Sequence, residues 1–73
     1  MKRTQFDIFC KMISSLGTAK VGDFTFVITQ RPNKMFQLSQ YHNGSTVTLK
    51  VGSHYDCVEA AKDCIKMMYN ITD

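Results

Sequence analysis

The chain has 73 residues and a net charge of +3, and 44% of its residues are hydrophobic. A chain of this length builds one hydrophobic core and buries about 60% of the surface that it exposes when unfolded. The sequence therefore predicts a single domain over residues 1–73, without room for a deep substrate cleft. The small positive charge permits binding to nucleic acid or to an acidic surface but does not require it.

The cysteines argue against covalent or metal cross-linking. The chain has three cysteines, Cys10, Cys57 and Cys64, and no two of them form a Cys-x-x-Cys motif. Because their number is odd and this motif is absent, neither a disulfide framework nor a closed zinc site is expected. We predict no metal and no cofactor. No apolar run reaches the roughly 18 to 20 residues that cross a bilayer, and Lys2-Arg3 is not followed by the apolar block of a signal peptide. These features predict a cytoplasmic protein that does not bind membranes.

The first segment, Thr4 to Leu16, is predicted to be a helix because its apolar residues recur every three or four positions. Thr4 and Asp7 match a capping box, and Gly17 is suited to end the helix. The predicted buried face consists of Phe6, Phe9, Cys10, Ile13 and Leu16, and Ile8 and Met12 are expected to widen it.

After a predicted connector, Thr18 to Asp23, the apolar residues begin to alternate. This period of two predicts three strands, Phe24 to Gln30, Met35 to Tyr41, and Thr46 to Val51. Asn43-Gly44 supplies the two positive φ angles of a type I′ turn, which makes the last two strands a hairpin. The residues predicted to face the core are Phe24, Phe26, Ile28, Phe36, Leu38, Val47, Leu49 and Val51.

The last helix is predicted from about His54 to Tyr69, because Ser53 and Asp56 form a second capping pattern. A polar tail, Asn70 to Asp73, follows it. The fold class is therefore α+β, in the order α-β-β-β-α, with a three-stranded antiparallel sheet and both helices packed on one face. The inward side of the last helix is predicted to carry Cys57, Ala61, Cys64, Ile65 and Met68.

The sheet face away from the helices is the main candidate for a binding surface. Its threonine-rich surface is typical of an ordinary solvated sheet, but it also forms a flat hydrogen-bonding platform on which Tyr41 and Val27 are apolar anchors. A free edge, either Phe24 to Gln30 or Thr46 to Val51, would also pair with a partner strand or a second copy of the chain. The predicted partner-binding residues are Val27, Gln37, Ser39, Tyr41, Thr48 and Lys50.

Catalytic chemistry is not predicted. A nucleophilic cysteine needs a base within hydrogen-bond reach, and the candidate bases are His42 and His54. Of these, His54 is three residues from Cys57 on one helix. All three cysteines fall on predicted apolar faces, where a thiol is an unreactive hydrophobic group. We therefore expect a protein that is not an enzyme.

The predicted element order resembles that of the double-stranded-RNA-binding domain. Gly52-Ser53 precedes the last helix as in that family, and Val58 to Lys62 is similar to the alanine-containing stretch of its second helix. The family grips phosphates with lysines at the start of this helix, where the present chain has His54-Tyr55-Asp56. Phe24 to Met68 is also similar in outline to DNA-binding proteins that place a three-stranded sheet in the major groove. The basic residues predicted to bind nucleic acid in this alternative are Lys2, Arg3, Arg31, Lys34 and Lys50.

In size and composition the chain also resembles small cofactor-free inhibitors encoded by phages, including anti-CRISPR proteins. This resemblance implies a non-enzymatic protein that blocks a host protein or defence complex through the sheet face or a strand edge. It is the leading functional prediction. The alternatives are binding of double-stranded RNA or DNA, and a homodimer without another partner.

Overall fold

A computed structural model describes residues 2–71 of the chain. The described residues form an α+β fold in which two helices cover one face of an antiparallel sheet, as predicted, but the sheet has four strands instead of three. The order is α-β-β-β-β-α, which departs from the order on which the resemblance to the double-stranded-RNA-binding domain rests. The elements are α1 (Arg3–Leu16), β1 (Thr18–Val21), β2 (Phe24–Gln30), β3 (Phe36–His42), β4 (Ser45–Gly52) and α2 (His54–Tyr69).

Strand β1 replaces the connector predicted over Thr18 to Asp23. It pairs with β2 through a two-residue turn, Gly22-Asp23, in which Gly22 has a φ of 57°, as in a type II′ turn. Ala19 and Val21 are buried, whereas the residues between and before them are exposed. Four residues are too few to show a clear alternation of apolar and polar residues, so the sequence pattern did not predict this strand. The expectation that β2 is a free edge is also wrong, because β2 lies between β1 and β3.

Helix α1 begins differently from its prediction. The Lys2 backbone N–H donates a hydrogen bond to Gln5 Oε1 (3.2 Å), and Thr4 already lies inside the helix. The capping box predicted for Thr4 and Asp7 is therefore wrong. The Asp7 carboxylate instead lies 3.5 Å from Arg3 Nε, one turn back along the helix.

The predicted start of α2 and the end of α1 are confirmed. Ser53 Oγ accepts the Asp56 N–H (3.0 Å), and Asp56 Oδ2 accepts the Ser53 N–H (3.4 Å), so each group satisfies a backbone donor that the helix leaves unpaired. Gly17 ends α1 and Asn70 ends α2 in the left-handed conformation. Thr72 and Asp73 of the predicted polar tail lie outside the described residues.

The core lies between the helices and the inner sheet face. Phe26 of β2 and Leu38 of β3 are fully buried, together with Ile13 of α1 and Ile65 of α2. The ring of Phe9 meets that of Phe26 edge to face, with centroids 5.5 Å apart. The other buried apolar residues are Phe6, Phe9, Ala19, Val21, Cys57, Val58 and Ala61.

The buried stripe of α1 is narrower than predicted. Leu16 is exposed at the end of the helix, and Ile8 (52% exposed) and Met12 point away from the core. Met68 of α2, also predicted to face inward, is 38% exposed. The small sheet offers room for only one narrow row from each helix, so apolar residues beside these rows remain at the surface.

A register shift between Leu38 and Ser39 changes the direction of the side chains in β4. Beyond the shift Lys50 pairs with Leu38, and Val51 pairs with Gln37. Because paired residues share a face, Lys50 lies on the helix side of the sheet and Val51 on the opposite side. Both assignments reverse the prediction, since an extra residue in one strand inverts the alternation of everything after it.

Strand β4 also lies outside the core. Val47, Leu49 and Val51, all predicted to be buried, are exposed, with Val47 52% exposed although it lies on the helix side. The core residues come from β1, β2 and β3 alone among the strands, apart from Gly52 at the end of β4. Helix α2 packs against β4 as well as β3, but it leaves the side chains of Val47, Leu49 and Val51 exposed.

Two substitutions test this register. Leu38→Ala is expected to lower the free energy of unfolding by about 2–5 kcal/mol, because it leaves a cavity in the core. Val51→Thr is expected to change it by less than about 0.5 kcal/mol, because the side chain is exposed. Urea denaturation followed by circular dichroism measures both. A loss at Val51 as large as that at Leu38 would contradict the register.

Candidate functional site

The polar part of the open face, meaning the sheet face away from the helices, is organised around Gln37. Its Oε1 accepts a hydrogen bond from Arg31, and its Nε2 donates to Ser39 Oγ (3.1 Å) and to Thr48 Oγ1 (3.2 Å). The structure thus brings together three of the predicted partner-binding residues, Gln37, Ser39 and Thr48. Ser39 is buried beneath its neighbours. These groups satisfy one another, so this part of the face is a rigid support that has few free donors for a partner.

Apolar side chains surround this polar cluster. Tyr41 pairs with Thr25, and Val27 pairs with Ser39, which makes Tyr41 and Val27 diagonal neighbours on the open face. Tyr41 is 44% exposed, and Val51, on the same face, is 43% exposed. Lys50, predicted to belong to this surface, lies on the other side of the sheet.

The outer edge of β4 has no partner strand within the described chain. The two-residue turn Asn43-Gly44, with φ angles of 50° and 79°, is the predicted type I′ turn, and it makes His42 and Ser45 a hydrogen-bonded pair. Hydrogen-bonded and non-hydrogen-bonded pairs alternate along antiparallel strands, so Thr46 and Thr48 fall in non-hydrogen-bonded pairs. Their backbone N–H and C=O groups therefore point outward. β4 therefore presents unpaired backbone groups to the solvent.

We call the resulting surface the β4 edge surface. It combines these outward backbone groups with exposed apolar side chains on both sides of the sheet. Sequence reasoning missed three of its members because alternation placed them in the core. The signal that would have found them is position, since the last strand of a meander is an edge. The surface comprises Tyr41, Thr46, Val47, Thr48, Leu49 and Val51.

The basic residues predicted for nucleic-acid binding lie far apart. The Gly17 carbonyl accepts a hydrogen bond from the Ile28 N–H (2.7 Å), so the end of α1 lies beside the C-terminal part of β2. The loop that follows β2 holds Arg31 and Lys34. The start of α1, which holds the other predicted basic pair, lies about 20 Å away along a 14-residue helix.

Lys50 does not bridge this separation. It lies on the helix side of β4, whereas Arg31 reaches the open face through its bond to Gln37. The five predicted cations thus occupy two ends and two faces of a molecule 37 Å long. They do not form one surface along which a phosphate backbone could run.

The cysteines and histidines are not arranged as nucleophile and base. No hydrogen bond joins a cysteine to a histidine within residues 2–71. The His42 ring stacks on Phe24 (4.1 Å between centroids), and the His54 ring meets Phe36 edge to face (5.2 Å). Cys57 is fully buried.

Burial raises the pKa of each of the three thiols, Cys10, Cys57 and Cys64. A higher pKa means less thiolate near neutral pH, and the thiolate is the reactive form. Cys64 Sγ also lies 3.8 Å from Gln40 Oε1, which favours the protonated thiol as a weak donor. These environments are those of structural cysteines.

The described part of the chain shows no group of three or more His, Cys, Asp or Glu side chains that could hold a metal ion. Among residues 2–71 neither helix has the length and apolar character to cross a membrane. Comparisons with models of protein families, with curated proteins and with solved structures found no match in any of the three. The surface geometry is therefore the basis on which a function can be inferred.

The thiol environments predict slow cysteine chemistry in the folded protein. The rate of alkylation should rise with pH, with midpoints above the ordinary cysteine pKa of about 8.5, and Cys57 should react only when the chain unfolds. Mass spectrometry of peptides after timed alkylation measures each site, with the urea-unfolded chain as the control. Rapid modification of Cys57 near neutral pH in the folded protein would contradict this assignment.

Proposed function

We propose that the protein is a non-enzymatic binding protein that attaches to another protein by pairing the β4 edge surface with an extended strand of its partner. The observation that carries this proposal is the open edge of an eight-residue strand, on which Val47, Leu49 and Val51 are all exposed. Strand addition of this kind draws affinity from main-chain hydrogen bonds and specificity from alternate side chains.

The first half of the edge lacks the usual protection against pairing. Edge strands of soluble proteins commonly carry charges, proline, bulges or inward-pointing lysines that prevent contact with other strands. Residues Ser45 to Thr48 contain no charge and no proline, whereas the register shift and Lys50, which lies on the helix side, protect only the second half of β4. An added strand would meet Val47 on the helix side and Val51 on the open face, where Tyr41 lies one strand further in. The surface therefore supports contact with both faces of a partner strand.

We further propose that the partner is a host protein or defence complex and that binding blocks it. The resemblance to small phage-encoded inhibitors supports this part, together with a chain that offers an interaction surface and no catalytic arrangement in its described residues. Nucleic-acid binding is the alternative. It has less support than protein binding, because its five candidate cations are dispersed over the molecule.

A pull-down of the tagged protein from bacterial lysate separates these functions. It should be run with and without nuclease, and at low and high salt, with both protein and nucleic acid measured in the eluate. A discrete protein that survives nuclease and salt supports the proposal. Nucleic acid retained at low salt and lost at high salt, without a protein partner, would overturn it, because phosphate contacts weaken steeply with salt.

Val47→Lys is expected to reduce recovery of the partner at least tenfold, since a charged side chain would have to lie against the apolar side chains of the added strand. Leu16→Lys is the matched control, because Leu16 is a strongly exposed apolar residue of α1, a helix that packs on β1 and β2 and not on β4. Both variants should keep the circular dichroism spectrum of the original protein. Equal recovery with the two variants would show that the partner binds elsewhere. Sedimentation velocity without lysate would show whether a second copy occupies the edge.

A further inference from the structure

A second apolar surface lies at the opposite edge of the sheet. It is a groove of about 400 Å³ between α1, β1 and the end of α2. The volume falls in the range of about 300–1,000 Å³ in which proteins bind ligands. Its apolar lining combines exposed residues that the core does not use with two core residues. The exposed residues are Ile8, Met12 and Tyr69, the core residues are Phe9 and Val21, and Gln5 and Lys20 are polar members.

The groove runs along unpaired backbone of β1. Two observations identify the hydrogen-bonded pairs of the β1–β2 ladder. The Ile28 N–H donates to the Gly17 carbonyl, and Ala19 pairs with Phe26. Lys20 falls between these pairs, so its N–H and C=O point away from β2. No described residue forms a hydrogen bond with them, and no described strand lies beyond β1. An extended peptide could therefore add to this edge.

The side chain of Lys20 provides charge selectivity. Lys20 pairs with Thr25, which pairs with Tyr41, so its side chain lies on the open face, whereas Val21 is buried on the helix side. Lys20 is exposed, forms no ion pair with another described residue, and is the only charged residue among those that line the groove. An acidic residue directly opposite it would be stabilised as a cross-strand pair of opposite charge.

We propose that the groove binds an extended peptide segment in which one acidic residue lies between two large apolar residues. Pairing against Lys20 would place the acidic side chain on the open face beside the ammonium group. Because side chains alternate, both apolar neighbours would then point to the helix side, where Ile8 and Met12 are exposed. This site is at the edge opposite the β4 edge surface and does not depend on the function proposed there.

The dimensions suit three residues. The groove extends along α1 from Gln5 to Met12, which is about 10 Å at 1.5 Å per residue. Three residues of an extended strand span the same length at about 3.3 Å each. Tyr69 bounds one end, since its hydroxyl lies 3.5 Å from the position that a Cβ on Gly22 would take.

The test uses the peptide acetyl-Thr-Leu-Glu-Leu-Thr-amide and nitrogen-15 NMR of the full chain. We expect saturable shifts of the amides of Lys20, Val21 and Gly22, with those of β4 unchanged. Methylation of the glutamate nitrogen should weaken binding at least tenfold, because that N–H would donate to the Lys20 carbonyl. Methylation of the second leucine nitrogen is the matched control, because that N–H would point away from β1.

A charge exchange tests the role of Lys20. Lys20→Glu should bind the glutamate peptide about fivefold to tenfold more weakly, and should bind the same peptide with lysine in place of glutamate more tightly than the original protein does. Lys11→Glu makes the same charge change at an exposed residue of α1 that does not line the groove, and should leave both affinities unchanged.

Several results would overturn the proposal. These are the absence of saturable shifts, shifts confined to β4, or affinities that do not respond to the charge exchange. Equal shifts produced by decanoate would show that the groove takes a fatty acid and not a peptide. Shifts of the same amides that depend on protein concentration alone would show that a second copy fills it. Heteronuclear spectra of each variant report whether the fold is retained, so a loss of binding is separated from unfolding.

Discussion

The contact between Phe9 and Phe26 joins α1 to the middle of the sheet, and the burial of Leu38 and Ile65 joins α2 to the same place. Two helices of 14 and 16 residues each contribute one narrow apolar row, and together they bury apolar side chains from three strands. The sheet within residues 2–71 has four. The limited area that this core can cover therefore leaves β4 and the outer side of α1 exposed, and both candidate binding surfaces arise from that limit.

These surfaces have different chemistry although each is a sheet edge. The β4 edge surface is long, lies at the border of the helix layer and exposes apolar side chains on both faces, so it suits a partner strand with apolar residues on both sides. The groove beside β1 is short, has an apolar helix on one side and Lys20 on the other, and suits an alternating segment. Because they lie at opposite edges, occupation of one leaves the other accessible.

The five cations predicted to bind nucleic acid do not define a binding surface in this protein. They are divided between the two ends of the molecule and the two faces of the sheet. Several charged groups already act within the fold: Asp56 caps α2, Glu59 lies 3.2 Å from Lys62, and Arg31 bonds to Gln37. The open face is thereby stabilised by its own polar groups, and its exposed apolar residues are left as the parts that a partner would contact.

Local patterns in the sequence determined the α+β class, the two helices, three of the strands, the type I′ turn and the Ser53 cap, because each depends on residues close together in the chain. They also contained an unused signal, since Gly22-Asp23 is a common two-residue hairpin turn. Tertiary structure alone decided the faces of β4. The register shift opposite Leu38 and Ser39 is set by how β4 pairs with β3. The alternation of apolar and polar residues within β4 does not indicate it. Whether Val47, Ile8 or Met12 is buried likewise depends on how far the helices extend over the sheet, which is a property of the assembled core and not of any one segment.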